Sequence, residues 1–282
     1  MAVHIVTDST SSLPVELAAQ HAITVVPLYV RFGQQIYRAG IEIGTDEFFQ
    51  RIATDPILPS TSQPSPGDFQ AVYERLTASG DSVVSIHVSD VLSGTLASAR
   101  TAKETLRDRS IHLINSEMAS VPLGLLAIEA ARLAKAGADA AAIVRHIEDA
   151  MPRCKVVFVL STLEFLKRGG RIGGAQAFLG SLLNVKPVLH VEHGRVEPVA
   201  RVRSFAKAYE TIDSYVREHA PKGVLHGAIL HANAEEHRQR VEEMVRSSCM
   251  PSGNLYPNIA IDPVVGVYTG PGAFGFAFMA KL

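Results

Sequence analysis

Short apolar runs rich in β-branched residues recur along the first half of the chain, and helical patterns separate most of them. Val3 to Thr7, Thr24 to Val30, Ser82 to Val88, Ile111 to Ile114 and Val156 to Leu160 read as strands. Between them, Leu13 to Gln20, Asp46 to Ala53 behind a Thr45 cap, Gly67 to Ser79, Thr95 to Leu106, Leu123 to Ala136 and Ala138 to Met151 read as helices. Alternation of this kind predicts crossover units and a mostly parallel sheet. Thr54 to Gly67 breaks the pattern: with Pro56, Pro59, Pro64 and Pro66 it predicts a loop with a stiff backbone.

After Leu160 the texture changes. Gly173 to Leu183 and Ser204 to His219 look helical, and Val185 to Val191 with Val196 to Val199 form a hairpin around His193-Gly194. Val224 to His231 is a strand leading into the charged helix Glu235 to Ser247. Ile259 to Ile261, Val264 to Tyr268 and Phe274 to Met279 all read as strands, which predicts antiparallel or mixed pairing at the end. The expected fold is α/β in two α/β domains, residues 1–160 with a mostly parallel sheet and 161–282 with a mixed one.

Composition narrows the function more than the fold. With 47% hydrophobic and 20% charged residues in 282, the chain has ample material for a globular core. A net charge of −1 without a long basic run lacks the electrostatic footprint of a phosphate-backbone binder, so nucleic acid is excluded as a partner. No basic leader or long uncharged stretch precedes the first strand, and the chain is expected to be cytoplasmic. Cys154 and Cys249 are too few for a disulfide scaffold or a zinc site and are expected to pack as small buried side chains.

Candidate chemistry clusters in a few loops. Arg168-Gly169-Gly170-Arg171 sets two permanent cations around a glycine pair, on the C-terminal side of a buried strand, where open α/β sheets place ligands. Ser93-Gly94-Thr95 opens a helix, whose free N–H groups and dipole favour an anion. Taken by itself, Ser93 would read as a helix cap. Gly270-Pro271-Gly272-Ala273-Phe274-Gly275 matches a dinucleotide fingerprint by letter, yet too little chain follows to build the helix that gives the fingerprint meaning. Ser204-Phe205-Ala206-Lys207 lacks the companion motifs of penicillin-recognising enzymes. There is no Gly-x-Ser-x-Gly and no phosphate loop. Of the eleven histidines, His190 and His193 lie closest, on a hairpin without the carboxylates a metal site would use.

Five segments in order carry a family resemblance: Ile5-Val6-Thr7-Asp8-Ser9-Thr10-Ser11-Ser12-Leu13-Pro14, Thr61-Ser62-Gln63-Pro64-Ser65-Pro66, Leu92-Ser93-Gly94-Thr95-Leu96-Ala97-Ser98-Ala99, Arg168-Gly169-Gly170-Arg171 and Val265-Gly266-Val267-Tyr268-Thr269-Gly270-Pro271-Gly272. Over essentially its whole length the chain resembles the DegV family. That resemblance implies two α/β domains holding a fatty acid between them, and a role like the FakB subunits of bacterial fatty acid kinase. It implies a carboxylate held by Thr61 and Ser93, with the Gly94 and Thr95 backbone and the Tyr268 hydroxyl beside it. Arg171 and Arg203 would be supporting cations. Expected partners are the fatty acid and a separate kinase catalytic subunit, with transient membrane contact allowed; no cofactor or metal is expected, and the chain is expected to be a monomer. One position departs from the pattern, since members often read Gly-x-His-Thr-Gly-Pro-Gly and this chain has Tyr268, a neutral hydroxyl, where histidine can be cationic. The alternatives are an enzyme related to dihydroxyacetone kinase and a lipid sensor without a kinase. Only the first would act on a small polar substrate.

Overall fold

A computed structural model describes residues 1–179, 185–250 and 254–282. The first part runs β1 (Val3–Asp8), α1 (Val15–Gln20), β2 (Ile23–Val26), β3 (Tyr29–Phe32), β4 (Gln35–Arg38), α2 (Thr45–Thr54), β5 (Ser60–Ser62) and α3 (Pro66–Leu76). It continues through β6 (Ser82–His87), α4 (Thr95–Thr105), β7 (Ile111–Asn115), α5 (Val121–Lys135) and α6 (Ala140–Ala150). The second part comprises β8 (Cys154–Val159), α7 (Glu164–Arg168), β9 (Lys186–Glu192), β10 (Arg195–Val202), α8 (Phe205–His219), β11 (Val224–His231), α9 (Glu235–Ser248), β12 (Asn254–Ala260), α10 (Pro263–Thr269) and β13 (Phe274–Ala280).

Three sheets result. β2-β1-β6-β7 is parallel throughout, as alternation predicts. β10-β9-β8-β13-β11-β12 is mixed, antiparallel except for the β11–β12 pair. A small antiparallel sheet, β4-β3-β5, forms from the chain that Pro27 diverts out of the first sheet, so the single strand expected over Thr24 to Val30 is two strands in two sheets.

The layers follow from which faces are apolar. α5 is buried from Val121 through Ala131 and packs on β1 and β6 on one side and on β8, β11 and β13 on the other. A helix with apolar residues on nearly every face over its first three turns belongs inside a protein, and here it is the filling between two sheets. Alternate residues of β8 show the layering: Val156 and Phe158 face this shared interior, while Val157 and Val159 face α8 and α9 together with Phe274, Phe276 and Phe278. α3 and α4 cover the outer face of the parallel sheet through Phe69, Tyr73, Ala99 and Ala102. The buried Glu129 of α5 receives Arg132 at 2.8 Å and His146 of α6 at 2.9 Å, and these partners hold its carboxyl well below the usual range.

Several elements differ from the sequence expectation. The strand Val156 to Leu160, expected to close the first unit, belongs by pairing to the large mixed sheet. Val264 to Tyr268, β-branched and strand-like in pattern, is the helix α10: Asp262 caps it by accepting the Val264 N–H at 2.7 Å, and Pro263 takes its first turn, where a missing N–H costs nothing. Gly266 lets this helix lie directly on α2, because a Cβ there would fall 2.6 Å from the Phe48 ring. Within the helix expected over Gly173 to Leu183, Gly173–Phe178 is a 3₁₀ turn, and positions 180–183 lie outside the described residues. Cys154 is fully buried, its thiol pushed up to about 12 by desolvation, whereas Cys249 is half-buried.

Candidate functional site

Between the carboxyl ends of β1 and β6 and the inner face of the mixed sheet lies a cavity of about 460 Å³. Its walls are mostly apolar, with Val88, Val156, Phe158, Leu230 and Val264 among them; one group of polar residues comprises Thr61, Gln63, Ser93, Gly94, Arg171 and Tyr268, and Thr10 and Ser120 line it elsewhere. An apolar cavity of this size with a few convergent polar groups has the make-up of a small-molecule site.

Each polar group is delivered by a different element. Thr61 sits on β5, held in register by pairing with Val30 of β3, where the proline-rich segment was expected to be a loop. Ser93 and Gly94 lead into α4, whose first turn carries no acidic residue, so the positive end of its dipole is not neutralised from within. The Ser93 hydroxyl lies 2.8 Å from the Thr95 hydroxyl and 3.3 Å from the Thr95 N–H it accepts. Thr95 is buried and does not line the cavity; it positions Ser93. Gly94 has a spatial reason, since a Cβ would fall 2.1 Å from the Gln63 carboxamide, which in turn donates to Ser98 at 3.0 Å. Sequence reading quoted Gln63 within its motif without giving it a role; its place beside Thr61 on a proline-bounded turn was the available signal.

Arg171 reaches the cavity and Arg203 does not. The Arg171 guanidinium donates to the Leu92 carbonyl at 3.0 Å and the Gly169 carbonyl at 2.8 Å, and it lies 5.2 Å from the centre of the Tyr268 ring. Among the described residues no carboxylate pairs with it, so its charge is left for the cavity. Arg168, three residues before, is spent on Glu164 at 2.6 Å. Arg203 stands exposed on the bend between β10 and α8, away from the cavity walls.

Tyr268 comes from α10, and its hydroxyl is 2.5 Å from Thr61 Oγ1 across 207 residues of chain. Gly169 gives its ring room, because a Cβ there would fall 2.3 Å from that ring. The turn after α10 is set by Gly270 at φ 67° and Gly272 at φ 79° and returns the chain into β13. At the other wall, the His193-Gly194 hairpin reaches the first sheet, where Ser89 Oγ donates to the Gly194 carbonyl at 3.0 Å.

A buried polar chain braces the floor. Asp8 accepts the Thr10 hydroxyl at 2.5 Å and the Val88 N–H at 3.0 Å, which fixes two residues of the cavity wall. His87 Nδ1 is 3.0 Å from Asp8, His87 Nε2 is 2.7 Å from Ser85 Oγ, and Ser85 is 2.9 Å from the Tyr73 hydroxyl. The order Asp-His-Ser resembles a hydrolytic relay, but Ser85 is fully buried against Tyr73 and is not on the cavity wall. This network holds shape; sequence reading missed it because its members lie up to 80 residues apart.

Two large sheets with a helix between them, enclosing a mostly apolar cavity beside hydroxyl and amide groups and an Arg171 guanidinium that no carboxylate pairs among the described residues, define a class of layered α/β proteins with an internal cavity. The chain belongs to the DegV family: the family model, described as "Uncharacterised protein, DegV family", matches residues 2–281. It is 36% identical to Protein DegV of Bacillus subtilis over 283 residues, covering 100% of both chains. A DegV family protein from Thermus thermophilus, whose structure is described by its fatty acid binding, matches with TM-score 0.94 and 38% identity over 100% of both chains. A stearic acid-binding protein from Eubacterium ventriosum matches with TM-score 0.90 and 28% identity over 99% of this chain and 98% of that one.

Proposed function

We propose that this chain binds a long-chain fatty acid, encloses the acyl chain in the cavity, and holds the carboxylate at Thr61, Ser93 and the Gly94 amide. Tyr268 acts from behind Thr61, Thr95 steadies Ser93, and Arg171 supplies positive potential. The observation that carries this reading is the asymmetry of the cavity, apolar on most of its wall, with neutral hydroxyls and amides concentrated beside Arg171 at one cluster. Burying each methylene contributes about 0.8 kcal/mol, which favours a long chain, and hydroxyl donors stabilise a carboxylate without locking both oxygens in an arginine fork. The solved relatives described as fatty acid binding proteins support the same ligand.

A carboxylate held in this way keeps a lone pair available to a phosphoryl donor. The proposal therefore extends to presentation: a separate ATP-dependent kinase phosphorylates the bound acid, and this chain carries the acyl phosphate. The first test is mass spectrometry of an organic extract of the purified protein, which should return long-chain fatty acid at about one per chain. Protein that yields none, and whose unfolding temperature is unmoved by added fatty acid, would refute the reading. Incubation with ATP and magnesium should give acyl phosphate only when a kinase subunit is added.

A further inference from the structure

At the wall between two cavities, the hydroxyl hydrogens outnumber their acceptors by one. A second cavity of about 580 Å³ lies beneath α1 and has Ser12 and Asp262 in its wall, while Ser120 lines the acyl cavity. Ser12 Oγ and Ser120 Oγ are 3.3 Å apart, and Ser12 Oγ also accepts the Asp262 N–H at 3.2 Å. The pair owns two hydroxyl hydrogens. One closes the contact between them, and among the described residues no acceptor takes the other. Ser12 Oγ keeps a second lone pair, so either hydroxyl can close the contact; where Ser12 donates to Ser120, the Ser120 hydrogen is left free on the acyl side.

Ser120 is also held against its own preference. Its backbone stands at φ 61°, ψ −147°, a region that suits glycine, and its residue is 8% exposed. A glycine would sit there unstrained. A strained serine with an unspent donor on an apolar wall is a polar contact waiting for a partner. Thr10, another hydroxyl in the cavity lining, has its hydrogen committed to Asp8 and offers only lone pairs.

We propose that Ser120 is a second polar station in the acyl cavity, separate from the carboxylate cluster, and that it takes an oxygen carried part-way along the chain. The ligand class is then a long-chain acid bearing a mid-chain hydroxyl or oxo group. This rests on the fatty acid reading above. A ligand oxygen near Ser120 selects the arrangement in which Ser12 donates inward, so the Ser12–Ser120 pair is set by what occupies the cavity.

The experiment is calorimetric titration of the delipidated full chain with stearic acid and with a positional series of hydroxy- and oxo-stearic acids. Wild type is compared with Ser120→Ala and Ser120→Gly; both lack the hydroxyl, and the glycine variant also relieves the strained backbone. Stearic acid should bind all three within about twofold. At one or more positions the oxygenated chain should bind wild type about three- to tenfold better, relative to stearic acid, than it binds either variant, the size of one neutral hydrogen bond. If stearic acid binds and no oxygenated chain separates wild type from the variants, the station does not exist. If stearic acid itself fails to bind, the fatty acid reading falls and this inference with it.

Discussion

Replacing Tyr268 by Phe removes one oxygen and keeps a ring, which isolates what the hydroxyl contributes. The ring would stay where Gly169 admits it, still 5.2 Å from the Arg171 guanidinium, so the cation–π contact survives. What goes is the 2.5 Å contact with Thr61 Oγ1. In the proposed complex Thr61 donates its only hydrogen to the carboxylate and can accept from Tyr268, giving a relay in which the tyrosine polarises the threonine. Loss of one neutral hydrogen bond costs about 1 kcal/mol, or about a fivefold weaker affinity for fatty acid. Thr61→Val removes the charged-acceptor bond itself and should cost more, about 1.5 to 3 kcal/mol. The relay makes a sharper statement: with Val at position 61 the tyrosine hydroxyl has nothing to polarise, so the double variant should bind no worse than Thr61→Val, a coupling of about 1 kcal/mol. Calorimetric titration of delipidated proteins measures all four corners of this cycle. Additive losses, or unchanged affinity in Tyr268→Phe, would show that the hydroxyl serves packing alone.

The combined Thr61→Ala, Ser93→Ala variant should lose fatty acid from the purified protein while circular dichroism stays native; retention of lipid at wild-type stoichiometry would move the carboxylate elsewhere. Gly270→Ala places a Cβ 2.3 Å from the Phe165 ring at a φ of 67°, and should lower unfolding free energy by about 2 to 4 kcal/mol; a loss below about 0.5 kcal/mol by denaturant titration would contradict the packing. Asp262 is buried and its carboxyl is pushed up to about 8 by desolvation, far above its unfolded value of about 3.9. Between those values the folded chain keeps a proton that the unfolded chain releases, so this residue makes stability fall as pH rises through that window. Asp262→Asn keeps an acceptor for the Val264 N–H and does not titrate, so its advantage over wild type should grow from pH 5 to pH 8, by at most about 1.4 kcal/mol per unit; a gap independent of pH would refute the assignment.

The sequence by itself determined most of the local elements and the motifs that line much of the cavity. Apolar alternation, caps and glycine-proline turns are read within a few residues, which is why the parallel crossover units, the His193-Gly194 hairpin and the motifs holding Thr61, Ser93 and Arg171 were all legible. Fold membership was legible too, because five ordered motifs span nearly the whole length. Tertiary structure decided where local preference was outvoted or where distant segments meet. Val264 to Tyr268 carries a strand pattern, yet a cap at Asp262 and burial of Gly266 against Phe48 make it a helix, and that helix aims Tyr268 at Thr61. The strand Val156 to Leu160 looks the same whichever sheet it joins; its partner β13 lies more than a hundred residues downstream, and only shared burial on both faces selects it. Arg171 lies in a glycine-flanked motif and Arg203 does not, yet the resemblance implied the same supporting role for both. One is anchored on two carbonyls at the cavity and the other points into solvent, a difference set by backbone geometry.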